Sequence, residues 1–307
     1  MINVYDDRNR RLKSLAFLRP CISEDMFLGF NLSKEIIKSL RLATKLFIHE
    51  CLTEYFAKEY NETIGIDEFV YLYKDDIKSL PNITPNGLVL SKAETSCSYN
   101  KVLKVAGNII KYLGITEQID SIHFPVNIRL RWGQPDDYVL SRPYASTKWH
   151  SDIWAGESSE NVMIHIPIFG DFRNNGITVA KSQPGFYPDF VKHLNDYDEG
   201  KPISDNVEER DIDMEIGQAY ILDSFLLHKT RFGDPSFRAI LSFPVVPKEK
   251  LDSDIYHNPR RDENYLDVDT WMDIGRKCFV YTDSKLERYQ DKDVSKISYA
   301  DKYLLSR

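Results

Sequence analysis

The runs Val162-Met-Ile-His-Ile-Pro-Ile-Phe169 and Ile177-Thr-Val-Ala180, with the turn signal Asn174-Asn-Gly176 between them, decide the fold class. Both runs are rich in β-branched residues and of strand length, and Asn-Gly between such runs marks a reversal of the chain. Upstream, Asn127-Ile-Arg-Leu-Arg-Trp132 alternates polar and apolar side chains. Downstream come Asp211-Ile-Asp-Met-Glu-Ile216, Ala219-Tyr-Ile-Leu222 and Ala239-Ile-Leu-Ser-Phe-Pro-Val-Val246. Short strands separated by turns, without helices between them, predict an antiparallel sandwich or barrel over residues 121–247. Pro167 predicts an edge strand or a strand end at that point.

The flanks read differently. Residues 1–120 are predicted to be mainly helical. Ser33 is a capping residue with Glu35 in the first turn, and Ile36, Ile37, Leu40, Phe47, Ile48 and Leu52 recur at helical spacing through Phe56. A second helix is predicted from Lys101 to Leu113, ending at Gly114. Short strands are expected at Phe69–Tyr73 and Leu88–Leu90. Residues 248–307 are charged and aromatic, with helices expected at Asp267–Lys277 and Ser284–Leu304, packed outside the sheets. The expected whole is one domain over 1–307, mainly β with flanking helices (α+β).

Composition excludes several classes. Forty Lys and Arg against 47 Asp and Glu give a net charge of −7, without the basic surplus of a nucleic-acid-binding protein. No apolar run approaches the roughly 20 residues of a membrane span. Eighteen Tyr, 16 Phe and 4 Trp are too many for a disordered chain. Cys21, Cys51, Cys97 and Cys278 are far apart and form no Cys-x-x-Cys pair, so neither structural zinc nor a disulfide framework is expected. Charges in MINVYDDRNRR stand where a signal peptide has its apolar stretch, which predicts a cytoplasmic location.

Few residues carry chemistry. His150 and Asp152, in Lys148-Trp-His-Ser-Asp-Ile-Trp154, are two apart, which in an extended segment puts imidazole and carboxylate on one face. Alone, that triplet reads first as a surface or capping pair. His228 follows at the end of a predicted strand, Ala219–Leu227, and Arg238 opens the next. Between them Lys229-Thr-Arg-Phe-Gly-Asp-Pro-Ser236 reads as a turn, so His228 and Arg238 are expected opposite one another in a hairpin. Two imidazoles and one carboxylate on one face of a metal make the facial triad of non-haem iron oxygenases, and an arginine fork suits a carboxylate. Arg129 and Arg131 are further candidates for an anion, or else a solvated strand face. His165 reads as a core histidine. Trp132, Tyr144 and Trp154 are either pocket walls or plain core.

With these residues in place, the sequence resembles the Fe(II)/2-oxoglutarate-dependent dioxygenases, in their phytanoyl-CoA hydroxylase-like branch, over roughly residues 121–247. His150-Ser-Asp152 matches the family's metal-binding His-x-Asp. Asn175-Gly-Ile-Thr-Val-Ala-Lys-Ser182 looks like its Asn-Gly turn and strand, with the usual continuation degraded here. Gly217-Gln-Ala-Tyr-Ile-Leu-Asp-Ser-Phe-Leu-Leu-His228 looks like the strand leading to its distal histidine. The resemblance implies a double-stranded β-helix core of the jelly-roll or cupin kind. It implies Fe(II) on His150, Asp152 and His228, with 2-oxoglutarate and O2 as co-substrates. Arg238 would hold the far carboxylate of 2-oxoglutarate, with Arg129 or Arg131 as candidates for the near one. The implied reaction is hydroxylation of a small-molecule metabolite with release of succinate and CO2. The same triad also serves desaturation, cyclisation or epimerisation, and a barrel that binds without catalysis is the alternative from another class. The stretch 183–210, long and rich in Pro, Gly and charge, reads either as a lid over the iron site or as a packed excursion with a short helix at Pro188–Leu194.

Overall fold

The computed structural model describes residues 4–16, 20–24, 26–92, 94–133, 137–181, 192–233, 236–251, 265–273, 279–282 and 285–288. In chain order the elements are α1 Val4–Ser14, β1 Ile22–Glu24, β2 Phe27–Asn31, α2 Lys34–Phe56, α3 Ile66–Leu72, α4 Lys74–Lys78, β3 Leu88–Val89 and α5 Ser96–Leu113. Then come β4 Ile119–His123, β5 Asn127–Trp132, α6 Asp137–Ser141, β6 Val162–Gly170, β7 Ile177–Ala180, α7 Lys201–Ser204, β8 Glu209–Ile212 and β9 Gln218–Asp223. The last are β10 His228–Thr230, β11 Phe237–Pro247, β12 Tyr265–Asp267, α8 Val268–Asp273, β13 Phe279–Thr282 and β14 Lys285–Arg288.

The strands make two principal antiparallel sheets. The larger has nine strands along the path β1-β2-β9-β6-β11-β4-β12, with β5 also on β11 and β3 on β5. The smaller has the order β10-β7-β8. Alternation gives the large sheet two unlike faces. Ile164, Ile166, Ile128, Leu130, Ala239, Leu241 and Phe243 join one apolar core with Phe47, Ile48, Leu103 and Ile110 of α2 and α5. On the other face Met163, Tyr220, Leu222 and Ile240 pack with Ile177, Val179 and Ile212 of the small sheet. That inner face also carries the polar positions Asn127, Arg129 and Arg131 of β5 and Arg238 and Ser242 of β11. Register sets Ser242 beside His165 and Asn127, Ile240 beside Arg129, and Arg238 beside Arg131.

The two long helices form as their sequences predict. Ser33 Oγ accepts from Ile36 N at 3.3 Å, capping α2. Gly114 ends α5 in the left-handed conformation, φ 75°, although that helix starts at Ser96 rather than Lys101. Trp271 of α8 is buried in the helix-side core, and β12 pairs with β4, so residues 265–273 pack against the sheet edge.

Several expectations need correction. Phe69–Tyr73 is not a strand: Ile66, Phe69 and Val70 bury one side of α3, whose helical spacing a short aromatic run disguises. The N-terminal part also contributes β1 and β2, and β2 pairs with β9 in the large sheet. Pro167 lies in a strand flanked on both sides elsewhere along its length. It sits where β9 no longer pairs with β6 and where the β6–β11 register shifts, so its missing N–H breaks no ladder on the β9 side. The strand expected over Asp211–Ile216 is displaced to Glu209–Ile212. Lys285–Arg288 is a strand on β13 rather than the start of a helix, and the remainder of Ser284–Leu304 lies outside the described residues.

The largest correction concerns His228. Strand β9 ends at Asp223, a tight turn follows, and His228 opens β10 in the other sheet, opposite Val179. Arg238 lies on β11 opposite Arg131 and Gly170. The two residues are therefore not hairpin partners. They belong to different sheets, because the chain crosses between sheets at Ser224–Leu227.

Candidate metal and anion site

His150, Asp152 and His228 each present a ligand atom, and these atoms lie within 4.8 Å of one another. Backbone pairing makes this possible. His150 N donates to His228 O and His228 N to His150 O, both at 2.8 Å, an isolated antiparallel bridge that puts the two imidazoles side by side, centroids 4.2 Å apart. Asp152 opens a single 3-10 turn, Asp152–Ala155, directly after the bridge.

Each histidine is also oriented. His150 Nδ1 lies 2.8 Å from Lys148 O, and His228 Nδ1 lies 2.9 Å from Leu226 O. A carbonyl only accepts, so Nδ1 carries the proton in both rings and Nε2 is left as the ligand atom. Burial, with His228 and then Arg129 and Arg131 adding repulsion, holds the His150 pKa well below its ordinary value, so the ring is neutral as a ligand must be. Burial raises the Asp152 pKa, with His228 and Arg129 opposing. The mixed N/O set without thiolate, with open positions, suits Fe(II) or similar ions.

Arg238 is 4% exposed, and burial lowers its pKa to about 10, so it remains a cation. Its Nε donates to Asn175 Oδ1 at 3.1 Å. Its Nη1 and the Nδ2 of Asn175 are both buried without an acceptor among the described residues. Buried N–H donors on two residues already joined by a hydrogen bond suit an anion as their acceptor. Arg131 is already engaged: Nη2 donates to Ser146 Oγ at 2.7 Å, and burial lowers its pKa to about 9. Arg129 is half-buried, and among the described residues no side chain forms a hydrogen bond or ion pair with it. Its charge acts on His150, Asp152, Glu157, His165 and Tyr197, which places it centrally in the site. His165 lies on the inner face with Nδ1 unpartnered, and His228, Arg129 and Arg238 all act on it. It is a site residue rather than the core histidine the sequence suggests.

The sequence gives no signal for Tyr197, whose ring stacks on His150 at 4.5 Å and 13°. It stands in the stretch 183–210. Residues 182–191 of that stretch, including most of the proposed helix Pro188–Leu194, lie outside the described residues. The part from 192 carries its turns at Tyr197–Gly200 and Lys201–Ser204 and is pinned to the site. Leu194 N donates to Trp154 O at 3.0 Å, Tyr144 Oη to Leu194 O at 2.7 Å, and Lys148 Nζ to Asp196 and Asp198 at 2.9 and 2.6 Å. Trp154 and Tyr144 thus hold this segment, whereas Trp132 stacks on Phe237. Two further residues went unread. Asn175 was visible only as half of a turn signal. Glu157 is a half-buried carboxyl whose pKa is pushed up to about 7 by desolvation and then by Asp152.

The cavity of about 730 Å³ between α2 and α3, lined by Lys34, Lys38, Arg41 and Ile216 among others, is remote from these residues.

No family model matches the chain, and no curated protein matches it. Among solved structures, it is similar to the non-heme alpha ketoglutarate dependent carbocyclase SnoK from nogalamycin biosynthesis. That match has 10% identity and a TM-score of 0.46, and covers 83% of this chain and 96% of that one. The epimerase SnoN from the same biosynthesis matches at 11% identity and TM-score 0.41, over 78% and 82% of the two chains. EctD from S. alaskensis, with 2-oxoglutarate and 5-hydroxyectoine, matches at 12% identity and TM-score 0.40, over 85% and 86%. Likenesses this distant carry no argument about chemistry, which rests on the side chains above.

Proposed function

We propose that this chain is a non-haem Fe(II)- and 2-oxoglutarate-dependent oxygenase of small molecules, built as one catalytic domain around a double-stranded β-helix and acting in the cytoplasm. The observation that carries this reading is the pair of buried donors on Arg238 and Asn175 that lack acceptors among the described residues, together with an oriented His-Asp-His cluster; His165 on the inner face feels the charges of both Arg238 and His228. A hydrolytic metal site needs the three ligands but gives no reason to bury an unsatisfied guanidinium beside them. A chelating dicarboxylate needs both parts.

Bound there, iron and 2-oxoglutarate supply the oxidising chemistry, in which O2 hydroxylates a substrate C–H as 2-oxoglutarate is split into succinate and CO2. The rest is the protein's part. His150 and His228 offer Nε2 because their Nδ1 protons are committed to carbonyls. Asp152 supplies the third ligand and one negative charge. Arg238 and Asn175 together present the fork for the far carboxylate. Arg129, which has no side-chain partner among the described residues, faces the near carboxylate or an anionic substrate group. Tyr197 covers one side of His150 and keeps water from it.

The test is anaerobic Mn(II) and 2-oxoglutarate titration, followed by succinate measurement with Fe(II) in air. Wild type should bind both ligands and form succinate. His150→Ala and His228→Ala should lose metal binding and turnover while keeping a native circular dichroism spectrum. Undiminished succinate formation in either variant refutes the assignment.

A further inference from the structure

We infer that Arg8, on the N-terminal helix, is a positioning residue for the metal site, fixing the segment that carries His150 and Asp152 against the segment that carries His228. The inference rests on the metal-site reading above.

The two ligand-bearing segments come from opposite ends of the sheet region and share little regular structure. One runs from His150 through the 3-10 turn to Asn161, and the other is the crossing turn Asp223–Leu227. Apart from the single backbone bridge, Ser151 Oγ donates to Ser224 O at 2.8 Å between them. A turn that must set an imidazole within ångströms of a second ligand needs outside support.

One guanidinium supplies it. Arg8 Nε donates to Asp223 Oδ1 at 2.6 Å, and Nη2 donates to Ser224 Oγ at 3.0 Å and to Ser159 O at 2.8 Å. Its plane lies 3.5 Å from the Phe225 ring centroid. Arg8 therefore touches both segments at once. Asp223, so held, shapes the turn: its Oδ1 accepts from Phe225 N at 2.9 Å, and its carbonyl accepts from Leu226 N at 3.0 Å. Leu226 O then receives His228 Nδ1. An unbroken series of bonds runs from α1 to the orientation of a metal ligand. Arg11 repeats the pattern one turn on, donating to Glu160 O at 3.0 Å and to Asn161 O and Asp223 Oδ2, both at 3.4 Å.

Simple docking of α1 does not require this. Leu12 and Leu15 already bury apolar surface in the helix-side core. Arg8 is 1% exposed, and burial lowers its pKa to about 10, a costly placement for a charge unless the planar fork is needed. Lysine has one nitrogen and cannot meet three acceptors in these directions.

The test uses Co(II) as the probe on the full chain, read by its visible d–d absorption. The variants are Arg8→Lys, Arg8→Met and, as a control for loosened docking, Leu12→Ala, all measured far below their melting temperatures. Arg8→Met and Arg8→Lys should weaken Co(II) binding about tenfold or more and alter the d–d bands, the usual scale for losing outer support of a ligand. Leu12→Ala should lower the melting temperature while leaving Co(II) affinity within about twofold of wild type, because it touches neither segment. Arg8→Lys keeps the charge and the stem packing, so it reports on geometry even where Arg8→Met folds poorly. Wild-type affinity and bands in a folded Arg8→Lys, or equal weakening in Leu12→Ala, overturns the inference. Co(II) binding that His150→Ala does not change overturns instead the metal-site reading, and this inference with it.

Discussion

Arg238→Lys should raise the 2-oxoglutarate requirement steeply while leaving the metal in place. In the wild type, Nε is committed to Asn175 Oδ1, and Nη1 stands free for a carboxylate oxygen beside the Nδ2 of Asn175. A lysine ammonium has one nitrogen for both tasks. If it reaches the carboxylate, Asn175 Oδ1 is orphaned; if it stays on Asn175, the carboxylate loses its cationic donor. Either way one charge-assisted hydrogen bond is lost in a buried site, about 1.5–3 kcal/mol. That corresponds to a rise of roughly 10- to 150-fold in KM for 2-oxoglutarate. The maximal rate should change much less, because chelation at the metal does not involve Arg238. Arg131→Lys is the matched control, since the Arg131 fork ends on Ser146 and Pro85. Succinate formation against 2-oxoglutarate concentration gives KM, and calorimetric titration of the Mn(II)-loaded protein gives Kd without turnover. A change below about twofold in both, against the loss expected for a charged bond, refutes the assignment of the far carboxylate to Arg238 and moves it to Arg129.

Lys148→Met removes the tie to Asp196 and Asp198 and leaves Asp198 paired with Lys201 of its own segment alone. Limited proteolysis within residues 192–204 should speed several-fold, as expected when a local opening free energy falls. Gly200→Ala places a Cβ 2.2 Å from the ring of fully buried Trp154, and such overpacking should cost about 1–3 kcal/mol, read as a lower melting temperature. His123, buried with Nδ1 on Pro125 O, has its pKa pushed down to about 4 by burial. The unfolded chain takes up that proton below about pH 6.5 and the folded chain does not, so stability falls as pH drops from 6.5 towards 4. By pH 5 this one group costs about 2 kcal/mol. His123→Phe should remove that share of the slope in urea titrations at pH 7 and 5, and an unchanged slope counts against it.

The sequence made the strands, the two long helices and the His-Asp-His cluster legible, because each rests on local signals: side-chain alternation, caps and short spacing. What it hid was set by distant pairing. A turn of four residues after Asp223 sends His228 to a different sheet from Arg238, and nothing in Ser224-Phe-Leu-Leu227 distinguishes that crossing from a continued apolar strand. The same blindness applies to Tyr197 and Arg8. Their partners are 47 residues and more away, His150 for one and Asp223, 215 residues distant, for the other. Arg129 and Arg131, alike in sequence, diverge because only Arg131 meets Ser146 from the loop before His150.

The two faces of β11 show why these features occur together. Ala239, Leu241 and Phe243 are apolar because α2 and α5 cover them, and that burial holds the sheet. Arg238 and Ser242 are equally buried on the other face, where Arg238 meets no compensating anion among the described residues. A fold can carry such a cost only because the apolar face over-determines the strand. The placement then becomes useful: donors fixed in advance lose little freedom when a carboxylate arrives. In the proposed complex Asp152 and one carboxylate would balance iron, and the other carboxylate would balance Arg238. The electrostatic burden of the inner face and the selection of a dicarboxylate are one property, read first as a cost to folding and then as recognition.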